Sequence, residues 1–364
     1  SWSAEIPPLG AGGPYVLELR SQGAPVQQLA NVLVGEVWLC SGQSNMAYRM
    51  RQMNDHERET SNPPPNIRLL TVERDHHTRP QSNFEALTGW SVAKTDTLLP
   101  FSAACYLYAL ELQKDLGVPF GLINAYWGGS AIEAWISARG LRSLDGFERN
   151  LGLVTLYGQN PRQANLEFAS DWQAWWEETG EETTPWAADF NDRSWRAAPA
   201  ELGDWRQWED SETQGLIGML WYRTSFRLTA AQAAGGGTLE LGGIDELDIA
   251  WVNGRAVGSS FGWGTPRTYF FEAGVLKAGI NVLAVNVYNS WGAGGLVGPP
   301  DSMRLELEDG SEVALGEGWR YAVVPTQLGS PPRAPWESIT GLTTLYNAMI
   351  APLEGFGLGG VMWY

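Results

Sequence analysis

Cysteine is scarce in this chain: only Cys40 and Cys105 occur among 364 residues. Two thiols cannot build a disulfide framework or a zinc site of several thiolates, and the pair is free either to bond or to stay reduced. Histidine is nearly as scarce, and His56, His76 and His77 show no ligand-like spacing, so a catalytic metal is not expected. Positive charge is short as well, with 24 Lys and Arg against 41 Asp and Glu and a formal net charge of −17. So acidic a surface cannot displace counterions from phosphates, which argues against a nucleic acid partner. No apolar run of about eighteen residues suggests a membrane span, and no charged start leads into an apolar run after Ser1, so no signal peptide is read there. Neither an internal repeat nor a low-complexity tract is found.

What the chain does have is length enough for two or three cores and 19 tryptophans. Flat indoles can stack on sugar rings, although filling a core is their commoner use. Trp2 to Arg20 alternates short apolar runs with Pro-Pro and Gly-Gly turns and reads as a β-hairpin. Val32 to Cys40 is a nearly continuous apolar run, as expected of one buried parallel strand, and it ends at Ser41-Gly-Gln-Ser44. Ile67–Val72 and Phe120–Trp127 read as further strands. Phe101–Leu116 reads as an amphipathic helix with Ala104, Leu107, Tyr108 and Leu112 on one stripe and Gly117 as its stop. Strand, helix, strand in this order predicts an α/β fold with a parallel sheet covered on both faces, over 31–182.

Composition shifts near Thr183. From there to 334, short β-rich runs separated by Gly, Asp and Asn predict an inserted antiparallel β-sandwich or jelly roll, with Asn253-Gly254 as a hairpin turn. Residues 335–364 return to the α/β pattern: Thr343–Pro352 reads as helical and Leu358–Tyr364 as one more buried strand.

Ser44 stands where an apolar strand ends, and open parallel sheets place ligands beyond the carboxyl ends of their strands. A serine hydroxyl needs a base to become a nucleophile, and the oxyanion that follows needs preorganised N–H donors, which the turn after Ser44 can supply. Read locally, the same residues also fit a plain strand-to-helix connection with Ser44 as N-cap. Asp189, Asp192 and Glu209 lie in a Trp-containing acidic stretch, and sequence spacing gives them no cleft in which to act as a carboxylate pair.

Val34-Gly-Glu-Val-Trp-Leu-Cys-Ser-Gly-Gln-Ser-Asn-Met46 resembles the opening catalytic block of the sialate O-acetylesterase family, serine carbohydrate esterases of the SGNH class. Leu116–Asn124 and Trp127–Trp135 resemble its second block, and Leu345–Leu353 the segment before its third. Trp221–Arg223, Gly243–Asp248, Trp251–Gly254 and Leu276–Asn281 resemble the galactose-binding-like sandwich found within such enzymes. The resemblance implies an SGNH-hydrolase-like sheet flanked by helices with an inserted jelly roll, and it makes 1–30 the end of a small β-domain. It implies Ser44 as nucleophile, the N–H groups of Ser44, Gly128 and Gly129 as oxyanion donors, and Gln43 and Asn45 as binding residues. The expected reaction is removal of O-acetyl groups from sialic acid or from plant glycans such as xylan or xyloglucan, without a cofactor, in a secreted or periplasmic protein. A non-catalytic carbohydrate-binding protein or an inactive fragment is the alternative.

The sequence departs from the family pattern after Val361-Met-Trp-Tyr364. The family continues there into a Gln-Gly-Glu-x-Asn block and an Asp-x-x-His pair, and neither the third-block Asn nor the catalytic His and Asp is found in this chain. None of His56, His76 and His77 has the aspartate-three-before spacing. The expectation is therefore either a second polypeptide that supplies the His and Asp and completes the sheet, or an incomplete chain.

Overall fold

The computed structural model describes residues 7–22, 24–86 and 89–364. Packing divides the chain into two units, Ser1–Ser137 with Thr343–Tyr364, and Ala138–Leu342.

In the first unit β1 (Gly12–Ser21) and β2 (Ala24–Val34) form an antiparallel hairpin. The hairpin read over Trp2 to Arg20 is thus displaced: its second half is β1, the partner follows rather than precedes it, and 1–6 lie outside the described residues. The run from Val32 to Cys40 also divides, because Gly35 passes so close to Pro119 that a Cβ would lie 2.0 Å from the carbonyl oxygen. Beyond it, β3 (Glu36–Gly42) enters a mixed sheet with β4 (Ile67–Thr71), β5 (Ser91–Val92), β6 (Phe120–Tyr126) and the strand Gly360–Trp363. The Gly360–Trp363 strand, β3, β6 and β4 run parallel in that order, and β5 closes the edge antiparallel.

Cys40, Leu122 and Tyr126 share one core with α1 (Ala103–Leu116), and Leu39, Leu70 and Ile123 are buried on the opposite face. Burial on both faces is why these strands read as continuous apolar runs. The helix starts where Ser102 accepts a hydrogen bond from the Cys105 N–H at 3.3 Å and stops at left-handed Gly117, both from ordinary capping chemistry. Its buried face is Ala103, Cys105, Tyr106 and Ala109, not the expected stripe through Ala104 and Tyr108, because Cys105 is bonded to Cys40 and turns that face to the sheet. The Gly360–Trp363 strand is half exposed rather than buried, since it pairs with β3 on one side and leaves Val361 and Trp363 in solvent.

The second unit begins with two helices, α2 (Glu148–Tyr157) and α3 (Pro161–Glu178). Its strands follow as β7 (Arg196–Ala197), β8 (Gly218–Leu228), β9 (Gly237–Asp245), β10 (Leu247–Val252), β11 (Arg255–Phe261), β12 (Thr265–Phe271), β13 (Gly279–Asn289), β14 (Gly295–Leu296), β15 (Met303–Leu307), β16 (Glu312–Ala314) and β17 (Arg320–Val323). A six-stranded sheet in the order β11-β10-β13-β8-β17-β7 and a second sheet in the order β12-β9-β15-β16, with β14 on β9, are both antiparallel. Leu220, Tyr222, Leu283 and Val285 from the first meet Leu239, Leu241 and Leu305 from the second in one core. Asn253 and Gly254 turn β10 into β11 with φ of 51° and 82°, the positive values a two-residue hairpin needs.

The helices cover the other face of the six-stranded sheet, where Phe168, Trp172 and Trp176 pack with Trp221, Ile249 and Trp251. Trp336 stacks on Tyr157 at 4.4 Å. These contacts put 138–182 and 335–342 with the strands, whereas composition places the boundaries at 182/183 and 334/335: the helices look like α/β material until their indoles find the sheet. Truncating any of these buried indoles to alanine would cost roughly 3–5 kcal/mol.

Candidate active site

β3 lies between two parallel neighbours, so its carboxyl end opens in the middle of the sheet. Gly42 has φ of +134°, and a Cβ there would lie 2.2 Å from the Tyr364 carbonyl oxygen; only glycine lets the chain turn at this point. The turn that follows is held at both ends. The N–H groups of Gln43 and Met46 donate to the Tyr364 carbonyl at 2.9 and 3.3 Å, the Ala47 N–H donates to Gln43 O at 3.0 Å, and the Met46 side chain is wholly buried beside the Ser102 hydroxyl. Between these anchors Gln43, Ser44 and Asn45 are exposed. They form a turn, so Ser44 is not the N-cap of a regular helix.

The loop leaving β6 comes to the same place. The Trp127 N–H donates to Gly42 O at 3.1 Å, and the buried Ser130 hydroxyl donates to Trp127 O at 2.7 Å while accepting from the Trp135 indole at 2.8 Å. The Gln43 side-chain amide donates to Ser130 O and ties the two loops together. Gly128 then lies against the serine: a Cβ on it would stand 3.4 Å from Ser44 Cα and 3.5 Å from Ser44 Cβ. Gly129 follows with φ of +79°. Among the described residues, no hydrogen bond engages the Ser44 hydroxyl or the backbone N–H of Ser44, Gly128 or Gly129. Ser44, Gly128 and Gly129 are therefore brought together, Asn45 stands beside them with its side-chain amide unengaged among the described residues, and Gln43 braces the loops.

Sequence reasoning missed the cations of this region. The Arg74 guanidinium lies 5.6 Å from the Trp127 ring centroid, one residue from Gly128. Burial pushes the Tyr126 hydroxyl pKa up, and the nearby charges of Arg49 and Arg74 partly offset it. Both arginines reach the carboxyl end of β6 from remote stretches, so only the fold reveals them. Arg74 also lines a cavity of about 210 Å³ with Glu73, Asp75, Phe84, Glu85, Ala86 and Ala348.

The histidines are placed differently from one another. His56 opens a short helical turn with Nδ1 at 2.8 Å from Met53 O. His76 has its pKa lowered by burial, which favours the neutral ring. His77 Nε2 lies 3.0 Å from Asp75 Oδ2, and its backbone is held by the Thr344 carbonyl and the Asn347 amide, each at 3.0 Å. The separation of two residues rather than three hid this Asp–His pair. With Glu85 it also forms a group, among the described residues, whose donor atoms lie within 4.8 Å of one another and could hold a metal ion. In the second unit, Asp192 is engaged by buried Arg223 at 3.1 Å, and Asp189 and Glu209 are exposed.

Compared with known proteins, the chain is 33% identical over 157 residues to a sialate O-acetylesterase of Pongo abelii, covering 39% of this chain and 29% of that protein. It is 32% identical over 154 residues to the sialate O-acetylesterase of Homo sapiens, with the same shares covered. A solved carbohydrate acetylesterase from Xanthomonas citri is 36% identical with a TM-score of 0.35, covering 38% of this chain and 32% of that one. No family model matches the chain. The chain spans 29% of the length of these curated relatives. The similarity to these sialate O-acetylesterases is confined to 39% of this chain.

Proposed function

We propose that the chain carries the nucleophile and the oxyanion donors of a carbohydrate O-acetylesterase. The observation that carries this reading is the Gly128 backbone against an exposed Ser44, with the N–H groups of Ser44, Gly128 and Gly129 unengaged among the described residues. In the proposed reaction the Ser44 hydroxyl loses its proton to a base as Oγ bonds to the acetyl carbon. The negative oxygen so formed sits among the N–H groups of Ser44, Gly128 and Gly129. The sugar oxygen leaves with the proton, and water attacks the acetyl-serine to release acetate. Relatives named sialate O-acetylesterase and carbohydrate acetylesterase support the acetylated sugar as substrate, with sialic acid, xylan and xyloglucan as the candidates. We read the first unit as an SGNH-type sheet and the second as a galactose-binding-like jelly roll, supported by two antiparallel sheets around one core. The Cys40–Cys105 disulfide supports a secreted or periplasmic location.

For the base we propose an Asp–His pair on a second polypeptide that docks beside the half-exposed Gly360–Trp363 strand, whose free edge is a ready template for pairing. Asp75–His77 is the internal alternative, favoured by its 3.0 Å contact and its place after β4, at the sheet end where Ser44 lies. Labelling with a fluorophosphonate, read by peptide mass, separates them. Labelling of Ser44 in the isolated chain that is lost in His77→Ala identifies the internal base. Labelling only in the presence of a second chain identifies the partner. No Ser44 labelling in either preparation overturns the esterase reading in favour of a silent binding protein.

A further inference from the structure

Two indoles of the second unit stand in solvent on turns that are both tied to one buried residue, Glu246. Trp291 is 80% exposed and Trp263 is 54% exposed. An indole left in water forgoes the stabilisation of burial, and on a mobile loop it would fold back onto the surface. Both of these are held out by locked turns. Trp263 lies between Gly262, whose N–H donates to Glu246 O at 2.9 Å, and Gly264, whose N–H donates to Ile244 O at 3.0 Å. Trp291 lies between Ser290 and Gly292. The wholly buried Asn289 side chain accepts from the Trp291 N–H and donates to Gly292 O, each at 3.1 Å.

Glu246 joins the two turns. Its backbone carbonyl takes the N–H beside Trp263, and its buried carboxylate takes the Ser290 N–H at 2.9 Å and hydroxyl at 2.7 Å, beside Trp291. The same carboxylate pairs with Arg333 at 3.2 Å, and the Arg333 guanidinium lies 4.7 Å from the Phe261 ring, which meets Trp263 edge-on at 5.4 Å. Arg333 itself keeps about a third of its side chain in solvent, at 34%. The surface thus offers two flat apolar faces with cationic hydrogen-bond donors on a common support.

We propose that Trp263 and Trp291 form a two-platform binding surface for a neutral glycan chain, with Arg333 donating to sugar hydroxyls between them. Pyranose rings present apolar C–H faces and polar edges, which is the pattern these groups match. The locked turns lower the ordering cost of binding, as rigid aromatic anchors do elsewhere. The net charge of −17 opposes polyanions and anionic membranes, leaving an uncharged polymer as the ligand. This surface lies wholly in the second unit and does not depend on the chemistry of Ser44.

Affinity electrophoresis of the full chain through gels holding chemically deacetylated, soluble xyloglucan tests the proposal, with polysialic acid as the anionic counterpart. Retardation by xyloglucan is expected to weaken several-fold in Trp291→Ala, at least about tenfold in the double Trp263→Ala, Trp291→Ala variant, and not at all in Ser44→Ala. Trp291→Phe should recover part of it, because a smaller aromatic face remains. Both indoles are exposed, so the variants should keep the wild-type circular dichroism and Tm. Equal retardation of wild type and double variant, no retardation of the wild type, or retention by polysialic acid alone would each overturn the assignment. Unchanged acetate release in Ser44→Ala would sink the esterase reading and leave this one standing, so the two readings fail separately.

Discussion

The two units dispose of their polar groups in opposite ways. At the end of β3 the backbone itself is left open: Ser44, Gly128 and Gly129 expose N–H groups and a hydroxyl, and the surrounding bonds serve to fix the loops that carry them. At the rim of the second unit the polar groups are mostly engaged with one another. Asp248 is wholly buried against Arg267 at 2.6 Å and Tyr269 at 2.7 Å, Glu246 is shared by Ser290 and Arg333, and the indoles of Trp263 and Trp291 stand in solvent. Free donors that converge beside a hydroxyl can stabilise developing charge, whereas engaged polar groups under exposed rings can only hold something. On the two proposals above, chemistry belongs to one unit and retention to the other.

Ser44→Ala should break the comparison most severely. Acetate release from an acetylated sugar is expected to fall by roughly a thousandfold or more, since the remaining oxyanion donors have no covalent step to assist. The Tm should not move, because the side chain is exposed and makes no hydrogen bond among the described residues. Wild-type turnover in this variant would remove catalysis from the β3 end altogether.

The next effect belongs to the second unit. Glu337 is 6% exposed, with one carboxylate oxygen unpaired, and burial pushes its pKa up to about 8. A carboxyl group raised in the folded state holds its proton more tightly there than when unfolded. The stability it contributes is full below the unfolded value near 4.5 and is lost as pH rises through about 8. The loss should be on the order of 3 kcal/mol, after allowing for relaxation around a buried charge. Glu337→Gln removes the titration, so its Tm should fall less than that of the wild type between pH 5 and 9. Parallel curves for the two proteins would mean that Glu337 is not the group responsible.

What could be read from the sequence follows the same contrast. β3, β4, β6, the helix α1 and the Asn253-Gly254 turn were legible because each depends on local pattern: apolar runs, helical spacing, a glycine stop, two residues that tolerate positive φ. Ser44 and Gly128-Gly129 were legible for the same reason, as strand-end residues in motifs. The face of α1 was misread because a disulfide, not hydrophobic periodicity, decides it. Arg49, Arg74 and the Asp75–His77 pair were missed because they gain meaning only from β6 and the Trp127 loop, which lie far off in the chain. The helices α2 and α3 were placed with the wrong unit because a tryptophan-rich helix face fits a parallel sheet and an antiparallel one equally well.

Gly128→Ala sharpens the comparison from the other side. The added methyl would stand 3.4 Å from Ser44 Cα, an ordinary contact that the fold tolerates, but it would occupy space next to the reacting atoms. Losing good access to an oxyanion donor is worth about 2 kcal/mol or more, so kcat should drop by tens-fold or greater with Tm within about a degree. The mutation should leave xyloglucan retention untouched. A fall in Tm with unchanged kcat per folded molecule would make Gly128 a packing residue.

The smallest expected effect tests whether the cation at the β6 end works on the substrate or on the loop. Arg74 stacks on Trp127, and such a contact contributes about 0.5–2 kcal/mol. If its free donors meet the sugar, Arg74→Ala should raise KM about three- to tenfold and leave kcat nearly unchanged, because the lost contact is made equally before and during reaction. Arg74→Lys should restore little of it: lysine keeps the charge but not the planar face that lies on the indole. If Arg74 instead holds the Trp127–Ser130 loop in place, kcat should fall while KM stays, since a shifted Gly128 would weaken the oxyanion contact alone. A change in neither constant would place the 210 Å³ cavity beside Arg74 off the path of the substrate.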